Sequence, residues 1–125
     1  MRREHFEALV EAAIDALPQE FQEGLENIAV VVEDWPSAEQ VASAGVKHRS
    51  QMLGLYEGIP LTERGYQPSM VLPDKITIFQ RPIERCSHSE EEMVRTIGET
   101  VRHEIAHYYG IGEDRLMEIE ERWRR

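Results

Sequence analysis

The sequence has little cysteine and little positive charge, and both shortages limit what the protein can be. Cys86 is the only cysteine among 125 residues, so no disulfide can form within the chain. This favours a reducing, cytoplasmic location. The chain carries 14 Lys and Arg residues against 24 Asp and Glu residues, a formal net charge of −10. Because nucleic-acid binding needs cations that neutralise phosphates, this balance argues against a nucleic-acid partner.

Long apolar runs are also missing. No stretch approaches the roughly 18 apolar residues that a membrane span requires. Residues 1–17 are charged and amphipathic, without the uninterrupted apolar core of a secretion signal. We therefore expect a protein with no membrane partner. A length of 125 residues fits one domain, residues 1–125, with a core of its own.

Hydrophobic spacing predicts several helices. Apolar residues recur at intervals of three and four between Phe6 and Leu17, which indicates an amphipathic helix. Residues 18–25 begin with proline and read as a second, short helix. Ser37 and Gln40 have the spacing of a capping box and predict a third.

Three segments are predicted as strands of a small sheet. Residues 27–34 are short and rich in β-branched side chains, which is typical of a central strand. Residues 52–56 contain Gly54 and are followed by Gly58 and Pro60, which predicts a weak or edge strand. Within residues 74–83, Ile76 and Ile78 alternate with Thr77 and Phe79, which predicts a third strand that Pro82 ends. Residues 65–73 read as a loop.

The longest predicted helix runs from the capping-box pair Ser89 and Glu92 to Gly110. Its residues divide into three faces at about 100° per residue. An apolar face for the core contains Val94, Ile97, Val101, Ile105 and Tyr108. A mostly charged face toward water contains Glu91, Arg95, Glu99, Arg102 and Ala106. The third face is polar, lacks Lys and Arg, and contains Thr96, Thr100, His103, Glu104 and His107. We interpret this third face as the wall of a cleft.

The third face has the spacing of a metal-dependent hydrolase. His103 and His107 lie four residues apart, so both imidazoles point the same way and can bind one Zn²⁺ ion. Glu104 lies about 100° around the helix, where it can accept a proton from a water that the metal activates. The H-E-x-x-H spacing therefore predicts a zinc site with Glu104 as general base. The alternative is an ordinary charged helix, without a metal site, that carries this short motif by chance.

A third protein ligand is expected after the helix. Glu113 completes an H-E-x-x-H-x-x-G-x-x-E pattern. Gly110 allows the sharp turn by which the chain would leave the helix and bring Glu113 back toward the two histidines. Asp114 is the alternative ligand, although it also suits the N-cap of a last helix over residues 115–123. Glu118, Glu120 and Glu121 are expected to be solvated.

Three stretches together resemble the small bacterial zincin-like metallopeptidase family: LGLYEGIPLTERG, LPDKITIFQRPI and HEIAHYYGIGEDRL. The resemblance covers nearly the whole chain and implies an α+β, zincin-like fold. In that fold a small mixed sheet packs against the H-E-x-x-H helix, flanked by N-terminal and C-terminal helices. It also implies that His103 and His107 are metal ligands and that Glu104 is the base. The family pattern ends in Asp, whereas this chain has Glu113, a carboxylate one methylene longer.

The resemblance implies a Zn²⁺-dependent peptidase with a peptide or protein substrate. Only 12 residues follow Glu113, so we expect a cleft that is open and shallow or that a second copy, in a homodimer, completes. The short tail also keeps two alternatives open: a zinc-holding module that binds peptides with little or no turnover, and a two-His, one-carboxylate iron site. Tyr56 is predicted on the edge strand, either half-buried or placed to steady an oxyanion.

Overall fold

Five helices and three strands occur in the part of the chain that the computed structural model describes, residues 1–26, 28–58 and 74–109 with Glu118 and Glu121. The helices are α1 Arg3–Asp15, α2 Gln19–Gly24, α3 Ala38–Ala44, α4 Gln80–Cys86 and α5 Glu90–Tyr109. The strands are β1 Ala29–Glu33, β2 Gly54–Glu57 and β3 Lys75–Phe79, and a single 3-10 turn, Arg49–Gln51, precedes β2. This is the α+β architecture that the sequence predicts.

The three strands form a mixed sheet in the order β1-β3-β2. β1 runs parallel to β3 and β2 runs antiparallel to it. Among the described strands β2 is therefore an edge strand, as predicted, but the prediction that residues 27–34 form a central strand is wrong, since β3 is the one described neighbour of β1. β1 lies at the other edge, where the Arg3 guanidinium donates to the Val32 carbonyl over 2.9 Å. Val31 is 37 % exposed, because the apolar run packs against the helices through one face only.

The prediction that Pro82 ends the third strand is also wrong. β3 ends at Phe79, and α4 begins at the next residue, Gln80. Pro82 is the third residue of that helix. N–H groups in the first turn have no partner within a helix, so proline removes no hydrogen bond there.

Both predicted capping boxes begin helices. The Ser37 hydroxyl accepts from the Gln40 N–H at 3.0 Å, and the Gln40 side chain accepts from the Ser37 N–H at 2.8 Å. At α5 the Ser89 hydroxyl accepts from the Glu92 N–H at 3.1 Å. The Glu92 carboxylate accepts in turn from the N–H of His88, one residue earlier than in a full box. The first cap fixes where α3 begins, and the second fixes where the long helix α5 begins.

The core lies between one face of the sheet and the helices α1 and α5. It includes Phe6, Val10 and Ala13 of α1, Ile76 and Ile78 of β3, and Ile97, Val101 and Ile105 of α5. Two predictions for the water-facing side of α5 are wrong, since Arg102 is only 4 % exposed and Ala106 only 3 % exposed. Ala13 near the end of α1 and Leu17 just after it line one pocket together with Arg102, so the end of α1 lies beside that side of the helix.

Some predictions fall outside the described residues. These are the loop over 65–73, the helix stop at Gly110 and most of the last helix. Glu118 and Glu121 are described, and both are helical and exposed, as expected for solvated glutamates. None of the helices in the described ranges combines the length and apolar character needed to cross a membrane.

Candidate active site and metal centre

A cleft of about 280 Å³ separates the polar face of α5 from the start of β2. Its lining residues are Gln51, Leu53, Gly54, Thr96, Glu99, Thr100, His103 and Glu104. Four of the five residues predicted for the polar face of α5 are in this set. No Lys or Arg lies among these lining residues. The prediction that this face walls a polar cleft agrees with the geometry.

The approach of α5 to β2 depends on the absence of a side chain at Gly54. A Cβ atom at this position would lie 2.5 Å from the Thr100 methyl and 3.2 Å from the Thr77 carbonyl oxygen. The Thr100 hydroxyl donates to the Thr96 carbonyl at 2.8 Å, and threonine is stiff about χ1. Gly54 therefore sets how closely the wall of α5 lies against the edge strand.

We expect Gly54→Ala to lower the free energy of unfolding by about 1–3 kcal/mol, the usual cost of overpacking. Thr100→Ser removes the opposing methyl but keeps the hydroxyl that donates to Thr96. The cost of Gly54→Ala should therefore be smaller in a Thr100→Ser background. Urea unfolding of the two single variants and the double variant measures this coupling. Equal costs in both backgrounds would show that the methyl contact does not limit the approach.

The two histidines of the motif are exposed on consecutive turns of α5. His103 Nδ1 lies 2.9 Å from the Glu99 carbonyl oxygen. A carbonyl can only accept, so Nδ1 carries the proton and the Nε2 lone pair remains for a metal. The His107 ring lies 5.8 Å from the Tyr56 ring, centroid to centroid, at an angle of 57°. That contact limits the positions of the second imidazole.

Glu104 connects the helix to the edge strand. Its Oε1 atom accepts from the Tyr56 main-chain N–H at 2.5 Å. Burial raises the pKa of the Glu104 carboxyl above its ordinary value, although the Tyr56 N–H and the nearby His107 and His103 oppose that rise. A raised pKa improves the match between a carboxylate and proton transfer near neutral pH.

The donor set suits a borderline metal ion such as Zn²⁺. His103 has the correct tautomer and a carbonyl that fixes its ring, as metal-binding histidines usually do. Within residues 1–26, 28–58 and 74–109, no three ligating side chains converge on one point. Both residues predicted as the third ligand, Glu113 and Asp114, lie outside the described residues.

Sequence reasoning missed the main-chain contribution of β2. It considered the Tyr56 side chain, which is buried at 5 % exposure against the core and His107. The group that meets Glu104 is instead the Tyr56 N–H. The glycine in LGLYEG was a usable signal, because a glycine inside a strand often marks a close approach of another segment.

The sequence profile of the family described as zincin-like metallopeptidase matches residues 25–123. Since the match covers most of the chain, the protein belongs to the zincin-like metallopeptidase family. Membership confirms the expected fold class and indicates a metallopeptidase-type function. A search of curated proteins returns no match.

Proposed function

We propose that the protein is a zinc-dependent peptidase, with residues 1–125 forming one domain and a peptide or protein as substrate. The observation that carries the proposal is the cleft in which His103 and Glu104 of α5 face the edge strand β2. An edge strand of this kind can hold an extended peptide through main-chain hydrogen bonds.

His103, His107 and Glu113 are the proposed metal ligands, with Asp114 as the alternative to Glu113. The carbonyl of Glu99 orients the first of these imidazoles. When bound by such a set, Zn²⁺ lowers the pKa of a coordinated water to about 7 and polarises a carbonyl.

Glu104 is the proposed general base. Its carboxylate accepts a proton from the water that attacks the scissile carbonyl, and later passes that proton to the leaving amine nitrogen. One of its oxygens is already held by the Tyr56 N–H, so the other is available for transfer. The N-terminal part of the cleft wall, with Thr96 and Thr100, offers polar contacts to neighbouring substrate residues.

We expect purified protein to cleave members of a mixed peptide library, with products identified by mass spectrometry. A zinc chelator should abolish cleavage and added Zn²⁺ should restore it, because the proposed reaction needs the bound metal to activate water. A protein that holds zinc and retains peptides without cleaving any of them would instead fit a binding module. Peptides rich in acidic residues should be poor substrates, since Glu99 lines the cleft and none of its described lining residues is Lys or Arg.

A further inference from the structure

The main-chain N–H of Tyr56 points away from the sheet. The Phe79 N–H donates to the Leu53 carbonyl at 2.9 Å across the β2–β3 pair. Antiparallel neighbours alternate between bonded and non-bonded pairs, so every second residue of β2 turns its main chain toward β3. Gly54 and Tyr56 are the alternate residues. Their N–H and C=O groups therefore point away from β3, on the side of the strand where a neighbouring segment or water can pair with them.

At Tyr56 the group that pairs with the main-chain N–H is a carboxylate of the same chain. Glu104, on α5, accepts from the Tyr56 N–H through Oε1. The Tyr56 side chain is buried and packs on the ring of His107. This packing holds β2 in place at Tyr56, the residue whose N–H donates to Glu104. Gly54, two residues earlier, lets α5 come close enough for the contact.

We propose that the Tyr56 main-chain N–H is a positioning group for Glu104, fixing one carboxylate oxygen so that the other is presented to the attacking water. This rests on the proposed function of Glu104 as general base. A glutamate side chain has three rotatable bonds, and without a fixed oxygen the carboxylate would sample several orientations. Holding a catalytic group in one orientation raises the rate by lowering the entropy that the reaction must lose.

Amide hydrogen exchange in the metal-free protein tests the contact independently of activity. We expect Glu104→Met, which is similar in size but has no strong acceptor, to speed exchange of the Tyr56 amide at least tenfold. Glu104→Gln should preserve the slow exchange, because its side-chain carbonyl accepts the same bond. The Leu55 amide, which faces β3, reports whether the sheet itself is intact. Unchanged exchange at Tyr56, or equal acceleration at Tyr56 and Leu55, would overturn the proposal.

A kinetic comparison tests the positioning role itself. Tyr56→Pro removes the N–H at an edge position where proline breaks no ladder bond, and Tyr56→Val removes the same side chain but keeps the N–H. We expect kcat of Tyr56→Pro to be roughly tenfold or more below that of Tyr56→Val. KM and bound zinc should agree between the two variants. Equal kcat values would overturn the positioning role.

The two experiments separate the possible failures. If the wild-type protein cleaves no peptide, the proposed peptidase function fails, while the exchange measurement still decides whether Tyr56 holds Glu104. If the wild type cleaves peptides, but Glu104→Met leaves exchange at Tyr56 unchanged and Tyr56→Pro has the same kcat as Tyr56→Val, the peptidase function stands and the positioning role is wrong.

Discussion

Glu104→Gln is expected to lower the rate of peptide hydrolysis by about 10²- to 10⁴-fold, the range that general-base catalysis usually contributes. The amide of glutamine cannot accept the proton of the attacking water at neutral pH. It does keep the size of the side chain and the acceptor for the Tyr56 N–H. The loss should therefore appear in kcat, with bound zinc unchanged and with substrate binding nearly unchanged.

The matched control for this substitution is Glu91→Gln. Glu91 lies on the same helix and is exposed, so its substitution removes the same charge without touching the cleft. We expect its hydrolysis rate to stay within about twofold of wild type. A Glu104→Gln variant as active as Glu91→Gln would show that Glu104 is not the base.

Glu104→Gln should also change how stability depends on pH in the metal-free protein. The pKa of Glu104 is raised in the folded state, chiefly by burial. The folded state therefore binds more protons than the unfolded state just above the ordinary carboxyl pKa, and stability falls as pH rises through that window. The glutamine of the variant does not ionise. The free energy of unfolding of Glu104→Gln should therefore rise relative to that of wild type between about pH 4 and neutral pH.

Substituting either of the two proposed zinc ligands of α5 should remove both zinc and activity. Deleting a hydrogen-bond partner of a metal ligand typically weakens affinity roughly 10- to 100-fold. Loss of a ligand itself, in His103→Ala or His107→Ala, should weaken zinc binding by more than that. Competition titration with a fluorescent chelator measures the affinity. His88→Ala, at an exposed histidine two residues before α5, is the control and should bind zinc like wild type.

The same titration distinguishes the two candidates for the third ligand. If Glu113 binds the metal, Glu113→Ala should lose affinity like the histidine variants, while Asp114→Ala should lose little. The N-cap role of Asp114 predicts a different effect, a loss of about 1 kcal/mol in stability without a loss of zinc. The opposite pattern of affinities would assign Asp114 as the ligand.

Much of the candidate site follows from local spacing. A capping box starts α5, helical geometry places His103 and His107 on one side, and the absence of cations marks the cleft wall. These features are local, because residues three or four apart on a helix determine them.

The features that sequence reasoning missed depend on segments that are distant in the chain. The edge position of β1 depends on how three strands are ordered, and Arg3 covers its outer edge from 29 residues away. Burial of Arg102 depends on where α1 lies across α5. The Tyr56 to Glu104 contact joins residues 48 apart. No periodicity within one element contains that information.

Anomalous diffraction at the zinc absorption edge, from crystals of the full chain loaded with Zn²⁺, tests the central claim most directly. The proposed centre predicts one strong peak per chain, about 2.0–2.1 Å from a ring nitrogen of both His103 and His107 and within bonding distance of a carboxylate. No peak between these two histidines, or a zinc ion held elsewhere such as at Cys86 and His88, would contradict it.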